Sequence, residues 1–247
     1  MKAVYIKTML LSAVMMQPAF AHESVGIKSE KNEKVDAAFD LVHTRVFKEG
    51  KDLVFEQLVV GEAGNRLPKP KGSFASAEVY SYVWPTSLDS GSVGFEAGSG
   101  ILALALTSHP DFDDTPQLDE NGDGKKDNDG GLWHSHWVVL TKDATCGPSG
   151  LKVRDIPEGT KPKLPPTWPG APIFIDSPGY DLRVKKDAAQ IRVPLAAVGF
   201  PQSFNYDGVT AALQVNADLH NPFLCVSSVW DVASGNLSLP ATWKVTE

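Results

Sequence analysis

Methionine occurs four times in 247 residues, and all four copies (Met1, Met9, Met15, Met16) fall within the first 16 positions. Whatever follows that stretch has no thioether, which excludes methionine as a haem or copper ligand there. Cysteine occurs twice, at Cys146 and Cys225, and no C-x-x-C-H is present, so covalent c-type haem is excluded. No apolar run is long enough to span a bilayer. No segment carries a helical stripe of useful length. The G-x-S-x-G elbow, the P-loop and H-E-x-x-H are all missing. Basic residues are fewer than acidic ones, 23 against 30, and the net charge of -7 argues against nucleic acid as the main partner.

Residues 1–21 have the layout of a secretory signal. Lys2 and Lys7 precede an apolar stretch, and Ala19-Phe20-Ala21 is a small-x-small cleavage site. Removing them takes two lysines and no acids, so the net charge falls from -7 to -9. The expected destination is the periplasm or the exterior. There Cys146 and Cys225 are most simply a disulfide. Residues 22–38 are polar and aperiodic and are expected to be a flexible leader. Cleavage would leave His22 first, and an N-terminal histidine offers amine and ring to copper as in the brace of lytic polysaccharide monooxygenases.

From residue 39 on, short apolar runs alternate with turn residues; 21 glycines and 18 prolines favour turns and strands over helices. Runs at 40–47 and 53–60 flank Lys48-Glu49-Gly50-Lys51, a hairpin signal. Further strands are expected at 74–84, 100–108, 132–141, 210–219, 223–232 and 241–246. Leu102, Leu104 and Leu106 share one face of theirs; Ala211, Leu213, Val215 and Ala217 share one face of another. The expected fold is all-β, a single β-sandwich over 39–247, jelly-roll or Ig-like, with long loops. Residues 157–178 hold seven prolines around Trp168 and cannot pair as a central strand. They are expected to wrap the sandwich as a stiff loop, with docking to a protein partner as the other option.

Residues 117–131 read QLDENGDGKKDNDGG. Asp119, Asn121 and Asp123 alternate, Gly124 permits a tight turn, and Asp127 and Asp129 follow. Calcium takes six to eight oxygen ligands at short range. The stretch resembles the calcium loops of EF-hand, dockerin and thrombospondin type 3 repeats. It departs from the EF-hand in carrying Gly130 where that loop has its bidentate Glu, and in lacking flanking helices. The resemblance implies Asp119, Asn121, Asp123 and Asp127 as side-chain ligands and Lys125 as a carbonyl donor, with Asp129 spare. Asp111, Asp113 and Asp114 lie just before and either complete this site or form another. A solvated acidic turn is the plain alternative.

In a strand at 132–141, His134 and His136 share a face with Leu132, Val138 and Leu140, while Trp133, Ser135, Trp137 and Val139 share the other. Two imidazoles on an apolar face need partners, and a metal ion supplies them. The pair resembles the His-x-His strands of carbonic anhydrases and cupins. His109, at the end of the preceding leucine-rich strand, is the expected third ligand; Asp111, His220 and His43 are reserves. Zinc or copper is the expected ion. The alternative is hydrogen bonding to carboxylates or backbone.

These features describe an exported calcium-binding protein with a binding or structural role. Its ligand would be a glycan or small molecule, with Trp84, Trp133, Trp137 and Trp168 as stacking faces unless they are core. The rival is a zinc or copper enzyme built on His134, His136 and His109, with Asp111 as general base.

Overall fold

A computed structural model describes residues 26–217 and 222–245. The chain is all-β. Its strands are β1 (Ile27–Lys28), β2 (Leu41–Glu49), β3 (Asp52–Val59), β4 (Glu78–Pro85), β5 (Ile101–Ser108), β6 (His134–Lys142), β7 (Leu151–Val153), β8 (Ile175–Asp176), β9 (Asp181–Lys185), β10 (Ala188–Pro194), β11 (Ser203–Tyr206), β12 (Val209–Val215), β13 (Leu224–Val232) and β14 (Ala241–Lys244). Three short 3₁₀ turns are the helical elements among the described residues. None of the helices is long and apolar enough to cross a membrane.

The strands form a five-stranded sheet in the order β1-β2-β3-β10-β9, a two-stranded β11-β14 ribbon, and a larger sheet β5-β4-β12-β13-β7-β6-β8. In the larger sheet β5 also pairs with β6, so six strands close into a ring, all antiparallel. The five-stranded sheet packs on one outer wall of this ring. The arrangement is barrel-like with a sheet laid against it, and its strand order does not establish a jelly-roll or an immunoglobulin-like topology.

Alternation along the shared wall decides which side chain serves which core. On β4, Tyr82 and Trp84 point out toward the five-stranded sheet, and Val79 and Val83 point into the ring. On β5, Leu102, Leu104 and Leu106 point out, and Ala103 and Ala105 point in. On β6, Trp137 and Val139 point out and Val138 and Leu140 point in. The outer core gathers the bulk of the aromatic side chains, with Phe55 set edge-on to both Trp84 and Trp137 at 6.1 Å. Trp84 and Trp137 are fully buried there, so neither offers a stacking face to a glycan. Trp133 and Trp168 are partly buried, and their indole N–H groups donate to the carbonyls of Gly64 and Ala171.

Of the leader expected at 22–38, residues 26–38 are described. Ile27–Lys28 pair with β2 as β1, Ile27 and Val35 pack on the outer core, and Arg66 pairs with Asp36 at 2.9 Å. Ala38 is buried in the same core, and Ser29 donates to the Ala233 carbonyl, so apolar and polar contacts together dock this stretch. The signal at 1–21, His22, and His220 lie outside the described residues. The proline-rich stretch leaves β7, makes an Asp155–Ile173 bridge at its base, and returns as β8 on the free part of β6's edge.

The ring has one weak seam. β13 meets β7 through a single residue pair, Cys225 opposite Lys152. Cys146 and Cys225 form a disulfide across this seam, with Cα atoms 5.2 Å apart. Beside it Ser149 donates to the Val226 carbonyl at 2.5 Å, and Lys152 lies between Asp143 and Asp155 at 2.9 and 2.8 Å. The bridge joins residues 79 apart in sequence, and a loop of that length is worth roughly 4 kcal/mol in the chain-entropy model. Replacing both cysteines by serine is expected to lower unfolding free energy by about that amount, read as a lower urea midpoint. An unchanged midpoint would show that the seam is held by its polar contacts alone.

Candidate metal centre

The hairpin from β5 to β6 carries the histidines. Thr107 pairs with His134 and Ala105 with His136. His109 follows the end of β5, and its carbonyl accepts from the Gly131 amide at 2.7 Å, so the excursion through the acidic loop closes on itself. Gly130 lets the Asp111 side chain lie close against the backbone at this closure. A Cβ there would sit 2.6 Å from the Asp111 carboxylate. The strand period therefore places His134 and His136 on the inner face of the ring, and the closure folds His109 back over them. The ring centroids of His109 and His134 lie 5.1 Å apart, and those of His134 and His136 4.8 Å apart, each pair edge-to-face.

A carboxylate joins His109 and His134 within mutual ligand distance, while His136 stands beside them through its ring contact with His134. Glu120 reaches in from the acidic loop, hydrogen-bonds to His109 Nε2, and has a carboxylate oxygen 3.7 Å from His134 Nε2. One ligand atom each from His109, Glu120 and His134 lies within 4.8 Å of the others. Glu120 is absent from the sequence-based expectations. Residues 119–123 form no strand, so no periodicity in the sequence marked the direction of its side chain.

Each imidazole has a different role. His136 Nδ1 faces the Asp176 carbonyl at 3.2 Å and the Ser177 hydroxyl at 3.1 Å. A carbonyl only accepts, so Nδ1 carries the proton and Nε2 is left as an electron-pair donor. His109 lies between Glu120 and Asp111, the latter 3.3 Å from Nδ1. Burial disfavours its charge, but the hydrogen bonds to Asp111 and Glu120 prevail and raise it to about 10. His134 is 1% exposed, and neither of its ring nitrogens makes a hydrogen bond of good geometry. Burial, with His136 and His109 beside it, holds it well below the usual imidazole range. Burial likewise brings His136 down to about 4. Glu120 is pushed up by burial but lowered overall by its hydrogen bond to His109.

The expected reserves separate. Asp111 joins the cluster through His109, whereas His43 sits on β2 in the five-stranded sheet, opposite Lys28 and Leu58. In the acidic loop, Asp119 accepts from the Gly124 amide at 3.0 Å, Asn121 from the Asp123 amide at 2.9 Å, and Asp123 from the Lys125 amide at 2.8 Å. These are tight turns in which side chains cap backbone amides. Among the described residues, Asp119, Asp123 and Asp127 do not bring their ligand atoms within mutual reach as His109, Glu120 and His134 do. One oxygen of Asp119 and one of Asp129 are buried without a partner. Asp129 accepts from the Glu120 amide through its other oxygen at 3.0 Å. Asp111, Asp113, Asp127, Asp129 and Glu120 border an acidic pocket of about 400 Å³. Asp114 lies apart and accepts from the Phe74 amide.

No protein-family model, curated protein or solved structure matches the chain. The site must therefore be read from its own chemistry.

Without metal, the perturbed histidines act at opposite ends of the pH scale, His134 and His136 at the acid end and His109 at the alkaline end. His136 has a depressed folded value, about 4 against 6.5, so below pH 6.5 the unfolded chain binds the extra proton. Stability then falls as pH drops from 6.5 toward 4. His109 has a raised value, about 10, so its contribution is complete below 6.5 and is lost as pH rises through 10. Urea midpoints of chelated protein across pH 4–10 should fall at both ends. His134 is lowered as well and shares the acid limb, so His136→Phe should make that limb shallower without abolishing it; an unaltered limb would mean His136 does not contribute to it.

Proposed function

We propose that the protein is an exported metal-binding protein that holds one zinc or copper ion through His109, His134 and His136, with Glu120 as a further donor. The observation that supports this most is His134. A neutral imidazole always carries one N–H and one lone pair; here both nitrogens are buried and neither makes a hydrogen bond of good geometry, the Leu132 backbone and a Glu120 oxygen at 3.7 Å being its polar neighbours. Leaving such a group unsatisfied costs on the order of 1–3 kcal/mol. A metal ion at the lone pair removes part of that cost and draws on the two neighbouring rings. The fixed tautomer of His136 and the nearby carboxylate match the donors and outer partners of zinc and copper sites. On binding, His109 would release the proton it shares with Glu120. Zinc with an open position would bring a bound water to a pKa of roughly 7, which is the basis of the enzyme reading.

Chelated protein reloaded with zinc or copper is expected to retain one equivalent after gel filtration, measured by elemental analysis. His134→Ala and His136→Ala should each abolish retention, and Glu120→Gln should weaken it about 10- to 100-fold. Retention by the double histidine variant would overturn the assignment.

Calcium at the acidic loop is a second reading, favoured by the unpartnered oxygens of Asp119 and Asp129 and by the five carboxylates around the acidic pocket. Burial raises Asp129, as expected for a carboxylate lacking a compensating cation. Millimolar calcium should raise the melting temperature of chelated wild-type protein, and Asp129→Asn should remove most of the rise. A melting temperature indifferent to calcium would sink it. Export is supported by the signal-like residues 1–21 and by the disulfide, which persists in oxidising compartments.

A further inference from the structure

The interior of the six-stranded ring is underfilled. A cavity of about 230 Å³ runs through it, bounded by Val83, Ala105, Val138, Ile173, Ala211 and Leu213 among others. Packed interiors leave few voids larger than a water molecule. The cause is visible in the alternation: the buried tyrosines and tryptophans go to the outer core, and the lumen is lined by aliphatic residues, many of them alanine and valine. A barrel of eight strands has room for its own side chains or one small ligand. Six strands leave less, and space remains here because the lining residues are small.

Polar groups are confined to one end. His109, Glu120 and His136 border the cavity there, as does Thr107. Thr107 is 6% exposed, and its hydroxyl has no hydrogen-bond partner. At the other end Ile101, Val229 and Leu237 border the same cavity and are exposed, 44%, 40% and 40%. Leu237 holds a left-handed backbone, φ 56°, unusual for a leucine. From Ile101 to Thr107 the strand covers roughly 20 Å. The space is thus long, narrow and apolar, with an apolar mouth and an unpartnered hydroxyl beside the imidazoles at its far end.

We propose that this lumen binds an unbranched aliphatic chain of about eight carbons ending in an oxygen-bearing head group, alcohol or carboxylate. The chain lies along the lumen and the head meets Thr107 and the histidine end. Length follows from volume: a cavity of about 150 Å³ takes a six-carbon ring, so 230 Å³ takes about nine non-hydrogen atoms. A single head follows from the single polar end. The inference deepens the metal reading by naming a ligand for the same site, but the lumen contacts exist with or without the ion.

The test is calorimetric titration of 1-octanol and of octanoate into chelated and zinc-loaded protein, with metal content measured on the same samples. Saturable 1:1 binding of either compound with a negative heat-capacity change is expected. Ala211→Phe should weaken it at least tenfold by filling the lumen, and Thr107→Val should weaken it about tenfold while the melting temperature holds. Where Ala211→Phe fails to fold, Ala105→Met serves the same purpose with a smaller intrusion. Preference for octanol assigns a neutral head; preference for octanoate, strengthened by zinc, assigns an acid that meets the ion. Absence of saturable binding in both metal states would overturn the proposal. So would wild-type affinity in the folded lumen-filling variant, or a bulky adamantane carboxylate binding as well as octanoate. Zinc that fails to bind while octanol still does would remove the metal reading alone.

Discussion

Three neighbouring strands, β4, β5 and β6, form a wall buried on both sides, and each residue on it must serve one core or the other. Period-two geometry leaves no choice once register is set. Bulky residues on the outer face interlock with the five-stranded sheet, and that interlock fixes the wall. Small residues and histidines then necessarily face the ring's interior. Slipping β6 by one residue would bury Trp137 in the lumen and place His134 and His136 against Phe55 and Leu104. The packing of aromatic side chains on one face therefore holds the imidazoles in place on the other.

The site spends stability to exist. His134 is buried without a hydrogen bond of good geometry, and His136 is kept neutral by burial. The compensating charge pair, His109 with Glu120, is itself desolvated, and such pairs seldom repay the full cost of leaving water. A chain selected for stability alone could place leucine at these positions on an apolar face. Buried, under-satisfied polar groups in a well-packed protein call for an account; in the proposed reading a cation would supply it for the imidazoles and a ligand head group for Thr107.

Much of this was readable in residues alone. The period of 132–141 set His134 and His136 on one face, and the position of His109 at a strand end brought it back to them. Both follow from local rules. Glu120 was hidden because Asp119, Asn121 and Asp123 fit a familiar loop pattern that assigns no role to the residue between them. Strands β9 and β10 were hidden because their turn, Lys186-Asp187, lacks the glycine that marks a two-residue hairpin, and Lys186 takes the left-handed backbone itself. Ring closure was not legible at all, since it depends on β6 pairing with β5 on one edge and with β7 and β8 in succession on the other. The pairing of Ile27–Lys28 with β2 was not legible, because the polar composition of the stretch conceals the few apolar residues, Ile27, Val35 and Ala38, that pack on the outer core. The pairing of Cys146 with Cys225 could be inferred, but its place at the seam could not.

Glu120 borders both the acidic pocket and the lumen, and its amide is tied to Asp129 while its carboxylate is tied to His109. A cation seated among the aspartates would restrain the backbone that carries this carboxylate. By thermodynamic reciprocity, whatever factor such an ion imposes on affinity at the imidazoles, an ion at the imidazoles imposes in return. One peptide unit would thus let the external concentration of a hard cation govern how tightly a softer one is held.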